Sequence, residues 1–190
     1  MDFKELTLED QAAFRAAEKS AAQMIADTNF TNLFIWRSYY RPTWLKAHGC
    51  ICLIARPEGE EPFGLAPVGG GDRLAALDFT RDALRELTAN AVFRRMPEDL
   101  VEQIRTAGRP YEAVHDRDND DYIYLRQQLC SLSGRRMHQK KNHYNYFINH
   151  YQFECLPITE ALVPDLLAVQ EGWLATKEER NIPGNHLRQE

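Results

Sequence analysis

Basic residues are concentrated in one segment of a chain that is acidic as a whole. Residues 132–151 have the sequence LSGRRMHQKKNHYNYFINHY and contain Arg135, Arg136, Lys140 and Lys141. The 190-residue chain has a formal net charge of −5. Cationic side chains form strong, charge-assisted hydrogen bonds with phosphate and carboxylate groups. The segment therefore predicts a site for an anionic or phosphate-bearing small molecule, and a solvated basic helix is the alternative.

Helical spacing divides this segment into faces, because residues three and four apart lie on one side of a helix. One face is largely apolar and is expected to pack inward; it consists of Met137, Lys140, Tyr144, Phe147 and Tyr151. A second face carries His138, Asn142, Asn145 and Asn149. Asparagine is unfavourable within helices because its amide competes for backbone hydrogen bonds. We therefore expect Asn142 and Asn145 to contact the ligand together with the four cations.

A glycine run lies between a predicted strand and a predicted helix, at Gly69, Gly70 and Gly71. Backbone amides at such a junction can face an anion, and the helix dipole favours negative charge there. No Gly-Lys-Ser/Thr follows, so the run is not a Walker loop. An ordinary turn is the favoured interpretation, and a cofactor-phosphate loop is the alternative.

Metal binding is not predicted. His138, His143 and His150 are five and seven residues apart, and no cysteine or carboxylate accompanies them in the segment. That spacing does not place neighbouring histidines on one helix face, as a zinc site would require. Cys50 and Cys52 point to the same face of a predicted strand and are expected to be reduced structural thiols.

Composition predicts a soluble, cytoplasmic protein without transmembrane insertion. No apolar run approaches the roughly 18 residues of a membrane span, and the N-terminus lacks a signal segment. The net charge of −5 argues against indiscriminate nucleic-acid binding, although it allows a local basic patch.

The apolar pattern predicts an α+β layered domain with a sheet flanked by helices. A capping box from Thr7 to Asp10 opens a helix toward residue 22. Further helices are predicted at 32–40, 73–90, 97–107 and 159–177, in addition to the basic helix. Strands are predicted at 44–47, 50–55, 62–68, 91–95, 122–125 and 152–157.

Two motifs resemble a known family. The first is Leu132-Ser-Gly-Arg-Arg-Met-His-Gln-Lys-Lys-Asn-His143, followed by Phe147 and Tyr151, and the second is Asn29-Phe-Thr-Asn-Leu-Phe-Ile-Trp36, followed by Tyr39 and Tyr40. Both resemble bacterial proteins related to the C-terminal domain of phosphatidylglycerol lysyltransferase. The resemblance extends from Phe3 to Trp173; its basic-helix motif is fairly specific, and the remainder is a looser pattern.

The resemblance implies a tandem acetyltransferase-like (GNAT-like) fold, similar to that of Fem peptidyltransferases, with a mixed sheet. It implies a GNAT-like domain at 1–128, a basic linking helix at 129–151, and the opening strand and helix of a second, truncated GNAT-like domain at 152–190. A truncated domain would leave an apolar face uncovered, from which we expect self-association.

The implied activity is acyl or aminoacyl transfer to an amine or hydroxyl. The implied donors are acyl-coenzyme A or aminoacyl-tRNA, neither bound tightly, and the implied partners are tRNA or a lipid headgroup. Gly69–Gly71 lies where a GNAT-like fold holds the coenzyme A pyrophosphate but lacks that fold's usual Arg/Gln-x-x-Gly-x-Gly spacing. His138 or His143 would be the base, since histidine titrates near neutral pH. A GNAT-like module that binds an anion without catalysis is the alternative.

Overall fold

The structure is a computed structural model that describes residues 2–21 and 25–179. The described residues form two compact units, the first ending at Asp121 and the second beginning at Tyr122. The first unit contains a sheet with helices, and the second contains helices joined by irregular segments. Each unit is described by itself below.

The sheet of the first unit has four antiparallel strands in the order β1-β2-β3-β4. They are β1 (Lys4–Glu5), β2 (Thr43–Ala47), β3 (Cys50–Ala55) and β4 (Phe63–Gly64). His48 and Gly49 join β2 to β3, with φ angles of 52° and 73°. Positive φ at both positions gives a turn whose twist matches that of the flanking strands. This hairpin confirms the sequence prediction.

Strand β3 lies at the centre of the core, and all six of its residues are buried. Side chains alternate between the two faces of a strand. Ile51, Leu53 and Ala55 accordingly pack in one apolar cluster with Phe14 of helix α1 (Gln11–Ser20). Those on the other face, Cys50, Cys52 and Ile54, pack against helix α4 (Arg73–Arg85). The first unit is therefore layered as predicted, with helices on both faces of a sheet.

The remaining helices of the first unit follow the sequence prediction with shifted bounds. The predicted aromatic helix is two short helices, α2 (Phe30–Ile35) and α3 (Arg37–Tyr40), which meet at Trp36. Helix α4 ends five residues earlier than predicted (90 − 85 = 5), and helix α5 is Glu98–Thr106. Asn29 caps α2 by accepting a hydrogen bond from the Asn32 backbone amide at 2.8 Å, which is the usual role of asparagine at that position.

Three predicted strands do not form. The segment 91–95 contributes only one parallel bridge, between Gly64 and Phe93, and the segments 122–125 and 152–157 have no strand pairing. The four named strands pair antiparallel, and the bridge between Gly64 of β4 and Phe93 adds one parallel pairing, to which the parallel part of the expected mixed sheet is limited. A strand requires a hydrogen-bonding partner as well as a suitable sequence. Among the described residues, segments 122–125 and 152–157 have no pairing partner, whereas segment 91–95 pairs only at Phe93.

The second unit contains α6 (Arg126–Ser131), α7 (His138–His150) and α8 (Val163–Glu179). The expectation that one face of the basic helix packs inward was wrong for most of that face. Met137 is buried, but Tyr144, Phe147 and Tyr151 are all exposed. On α8, Leu166, Val169 and Trp173 are also exposed. The second unit thus presents much of its apolar surface to solvent.

None of the helices in residues 2–21 and 25–179 combines the length and apolar character needed to cross a lipid bilayer. Within the same residues, no group of three or more His, Cys, Asp or Glu side chains is placed to hold a metal ion. All four cysteines are free thiols, with Cys50 and Cys52 buried and Cys130 and Cys155 exposed. Burial raises the pKa of the Cys50 and Cys52 thiols, which keeps them protonated near neutral pH.

Candidate anion-binding site

A sharp turn positions the basic residues at the start of α7. Leu132 ends α6 with a φ of 45°, and Gly134 follows with a φ of 86°. Glycine adopts positive φ without the steric penalty of a Cβ atom. The chain then forms the 3-10 helix Arg135–Met137, which continues into α7 at His138. Met137 is buried, so it fixes this junction while its neighbours remain exposed.

The turn and the first residues of α7 surround a recess of about 640 Å³. Its lining consists of Leu132, Ser133, Gly134, Arg135, Arg136, His138, Gln139 and Lys141. Three of these side chains are cationic, and serine, glutamine and histidine add hydrogen-bonding groups. The volume lies within the range of about 300–1,000 Å³ typical of small-molecule sites. The recess can therefore hold a phosphate group and part of the molecule that carries it.

Among the residues that the structure describes, no carboxylate pairs with the cations of the recess. The sequence from residue 122 to residue 153 contains no Asp or Glu. Within the described part of the chain, Arg135, Arg136 and Lys141 form no ion pair. Their donors are consequently available to an external anion, because the usual competitor of a bound phosphate is a neighbouring carboxylate.

The structure brings together only part of the predicted site. Arg135, Arg136, His138 and Lys141 line the recess, whereas the other predicted residues, Lys140, Asn142, His143 and Asn145, do not. The Lys140 ammonium lies 4.9 Å from the centroid of the Tyr124 ring, in a cation–π contact within the second unit. Asn142, His143 and Asn145 are exposed on later turns of α7.

Sequence reasoning assigned no role to Ser133, Gly134 and Gln139, which also line the recess. The signal that identifies them is the Ser-Gly pair directly before two arginines and a helix start. A glycine at such a junction allows the chain to turn. Ser133 Oγ lies 3.0 Å from Ser131 Oγ, so the serine hydroxyls at the end of α6 pair with one another beside the recess.

The glycine loop of the first unit is packed against other parts of that unit. The Gly70 amide donates to Ser20 Oγ at 2.9 Å, and the Asp72 amide donates to the His48 carbonyl at 2.9 Å. A Cβ atom on Gly71 would lie 2.1 Å from the His48 carbonyl oxygen. Close backbone approach therefore explains a glycine there. The cofactor role of Gly69, Gly70 and Gly71 stays a prediction.

The N-terminus of α4, which follows the glycine loop, carries its own anion. Asp72 Oδ1 accepts a hydrogen bond from the Ala75 amide at 2.9 Å. An aspartate at this position satisfies one of the free amides and interacts favourably with the helix dipole. The N-terminus of α4 is therefore already occupied by a carboxylate of its own chain, unlike the recess of the second unit.

Together, the fold and the recess define an α+β protein with an unneutralised basic site. A family model described as phosphatidylglycerol lysyltransferase, C-terminal, matches residues 19–187. The chain therefore belongs to the phosphatidylglycerol lysyltransferase C-terminal family, as its two motifs indicated. The basic-helix motif and the aromatic motif both lie within the matched residues.

A solved structure supports the fold. The chain is similar to a conserved protein of unknown function from Bacteroides thetaiotaomicron VPI-5482, with 26% identity and a TM-score of 0.84. The similarity covers the whole of this chain and 64% of that protein, so this chain spans about two thirds of its length. No curated protein matches the chain.

Proposed function

We propose that this protein transfers an acyl or aminoacyl group to an amine or hydroxyl, and that the basic recess binds a phosphate of the donor or of the acceptor. The observation that carries this proposal is the convergence of Arg135, Arg136 and Lys141 on one recess without a carboxylate partner. Membership of the lysyltransferase C-terminal family supplies the class of reaction.

The proposed chemistry needs no covalent intermediate on the protein. The nitrogen or oxygen of the acceptor attacks the carbonyl carbon of the donor, and a new bond forms between them. The bond from that carbon to the donor's sulfur or ribose oxygen breaks, and the leaving group takes up a proton. A base removes the proton from the acceptor, which raises the rate by about 10²–10⁴-fold in enzymes of this kind.

His138 is the candidate base that lies in the recess, next to Gln139. His143 is the alternative, on the following turns of α7 and exposed. The proposed donors are acyl-coenzyme A and aminoacyl-tRNA, because both carry phosphate groups that the cations of the recess could bind. The proposal includes a GNAT-like fold for the first unit and the beginning of a second GNAT-like domain from residue 152 onward.

The proposal is tested first by binding. Coenzyme A and uncharged tRNA are titrated separately into the protein and into the double variant Arg136→Ala, Lys141→Ala. We expect at least one probe to bind, with an affinity at least tenfold lower in the variant, equivalent to about 1.4 kcal/mol. Arg126→Ala is the matched control, since Arg126 is exposed on α6 and does not line the recess. An equal loss in the control would contradict the assignment of the site.

Transfer itself is tested with two labelled donors. Acetyl-coenzyme A is supplied with a mixture of amines, and lysyl-tRNA is supplied with phosphatidylglycerol vesicles. We expect one of these to give labelled product, and His138→Ala to lower kcat more than His143→Ala. Tight binding of a probe without any transfer would instead favour the alternative, a GNAT-like module that binds an anion. That alternative requires only the unpaired cations of the recess.

A further inference from the structure

We infer that the first unit contains a second site, which binds a free α-amino acid as its zwitterion. The site is a cleft of about 390 Å³ between α1 and the segment that leads into α2. It is lined by Arg15, Glu18, Ala26, Asn29, Phe30, Thr31, Asn32 and Ile35. It does not rest on the proposed acyl transfer, so either can fail without the other.

The first argument is that one wall of the cleft carries two opposite charges that are not paired with each other. Arg15 and Glu18 are three residues apart on α1, a spacing that places both side chains on the same face. Neither forms an ion pair within the described residues. Because Arg15 and Glu18 do not pair with each other, each can receive one charge of a ligand that carries two opposite charges.

The second argument concerns how Glu18 is held. Its Oε1 atom accepts a hydrogen bond from the Phe30 amide at 2.8 Å, and the side chain is half-buried. This bond holds the carboxylate against the first residue of α2, while its second oxygen has no partner among the described residues. An ionised carboxylate has two acceptor oxygens, so the second is suited to an ammonium group.

The third argument is the complementary chemistry of the remaining lining. A guanidinium presents a planar fork of donors that matches a carboxylate in a bidentate contact. Thr31 and Asn32 add a hydroxyl and an amide to the lining, and Ile35 adds an exposed apolar side chain. An α-amino acid with an aliphatic side chain satisfies all three features: its carboxylate meets Arg15, its ammonium meets Glu18, and its side chain meets Ile35.

The experiment uses L-leucine and two analogues that each lack one charge. The analogues are isocaproate, which has no amino group, and isopentylamine, which has no carboxylate. Each is titrated into the 190-residue chain and followed by NMR chemical shifts. We expect leucine to bind with millimolar or better affinity and each analogue to bind at least tenfold more weakly. Failure of leucine to bind at 10 mM, about the weak end of measurable affinity, would overturn the proposal, as would analogues that bind equally well.

Two variants assign the charges to their residues. Arg15→Ala should lower the affinity for leucine at least tenfold and leave the residual affinity for isopentylamine unchanged. Glu18→Gln should lower the affinity for leucine to a similar degree and leave the residual affinity for isocaproate unchanged. The glutamine oxygen still accepts a hydrogen bond from the Phe30 amide, which preserves the fold. Lys19→Ala is the control, because Lys19 is exposed on α1 and does not line the cleft. Loss of leucine binding in that control, or none in the two variants, would contradict the site.

Discussion

The two units use the same residue types in opposite ways. Many arginines of the first unit, unlike Arg15, are paired with carboxylates, as in the pairs of Arg73 with Asp99 at 2.6 Å and Arg81 with Asp78 at 2.9 Å. In the part of the second unit that the structure describes, Arg135, Arg136 and Lys141 of the recess form no ion pair. Apolar residues differ likewise: Leu53 of β3 is fully buried, whereas Val169 of α8 is 72% exposed.

This difference indicates that the first unit uses its side chains mainly for stability, whereas the second unit leaves them accessible for binding. Paired charges and buried leucines stabilise the unit that contains them, and they are unavailable to a ligand. Unpaired cations and exposed aromatic residues contribute little to the stability of their own unit and remain accessible for binding. Three substitutions, taken from the largest expected effect to the smallest, test whether the contrast holds.

The largest effect is expected in the core. Leu53→Ala should lower the free energy of unfolding of the first unit by about 2–5 kcal/mol, because it removes a buried side chain and leaves a cavity. Val169→Ala, the control in the second unit, should change it by less than about 0.5 kcal/mol. Urea denaturation followed by circular dichroism measures both. A comparable loss for Val169→Ala would show that its side chain is buried in solution.

A pair of glycines gives the next contrast. Gly71→Ala should destabilise the first unit by about 1–3 kcal/mol, since the new Cβ atom would overlap the backbone at His48 and Gly49. Gly172 in α8 has open space around it. Gly172→Ala should therefore stabilise that helix by up to about 1 kcal/mol through its better helix propensity. Thermal unfolding measures both changes, and a neutral Gly71→Ala would contradict the close packing of the loop.

The smallest effect concerns a buried acid in the first unit. Asp10 Oδ2 accepts from the Trp44 indole at 3.0 Å and from the Thr7 amide at 3.0 Å, and Oδ1 accepts from Lys4 at 2.7 Å. Burial by itself raises the pKa of Asp10, but these donors outweigh burial and lower the pKa below its ordinary value of 3.8. Hydrogen bonds to the charged form of a group have this effect.

The sign of the pH dependence follows from that shift. Because the pKa of Asp10 is lower in the folded state, its carboxylate stabilises the protein above pH 3.8, and this contribution is lost as the pH falls through the folded-state value. Asp10→Asn should cost about 1 kcal/mol at pH 7 and should make the loss of stability below pH 4 less steep. Asp99→Asn, which removes only an exposed ion pair, should leave the acid dependence nearly unchanged. An unchanged acid profile in Asp10→Asn would contradict the role of these hydrogen bonds.

Local sequence patterns predicted the first unit well. The capping box at Thr7, the hairpin at His48 and Gly49, and helix α5 form at or near their predicted positions. Each depends on interactions between residues close together in the chain, which local sequence specifies. The segment 91–95 has the residues of a strand but makes only one bridge, because pairing depends on a distant partner that local sequence does not specify.

For the same reason, the structure brings only some of the predicted site residues to one recess. Helical spacing showed which residues of the basic segment share a face, but it could not show what that face contacts. Tyr144 and Phe147 were expected inside and are exposed. Lys140 was grouped with the ligand-binding cations and instead contacts Tyr124. The turn at Gly134, which creates the recess, was visible in the sequence only as a glycine next to two arginines.

The sequence by itself determined the chemistry of this protein: its family, its basic segment without carboxylates, and the continuous apolar run that makes β3 a central strand. These are properties of residue type and spacing, which the chain carries in any conformation. Only the tertiary structure decided which of the cations converge and which apolar faces are covered. It also brought Arg15 and Glu18 of α1 to one cleft with Asn32. Such juxtapositions depend on contacts between residues distant in sequence, and no local pattern encodes them.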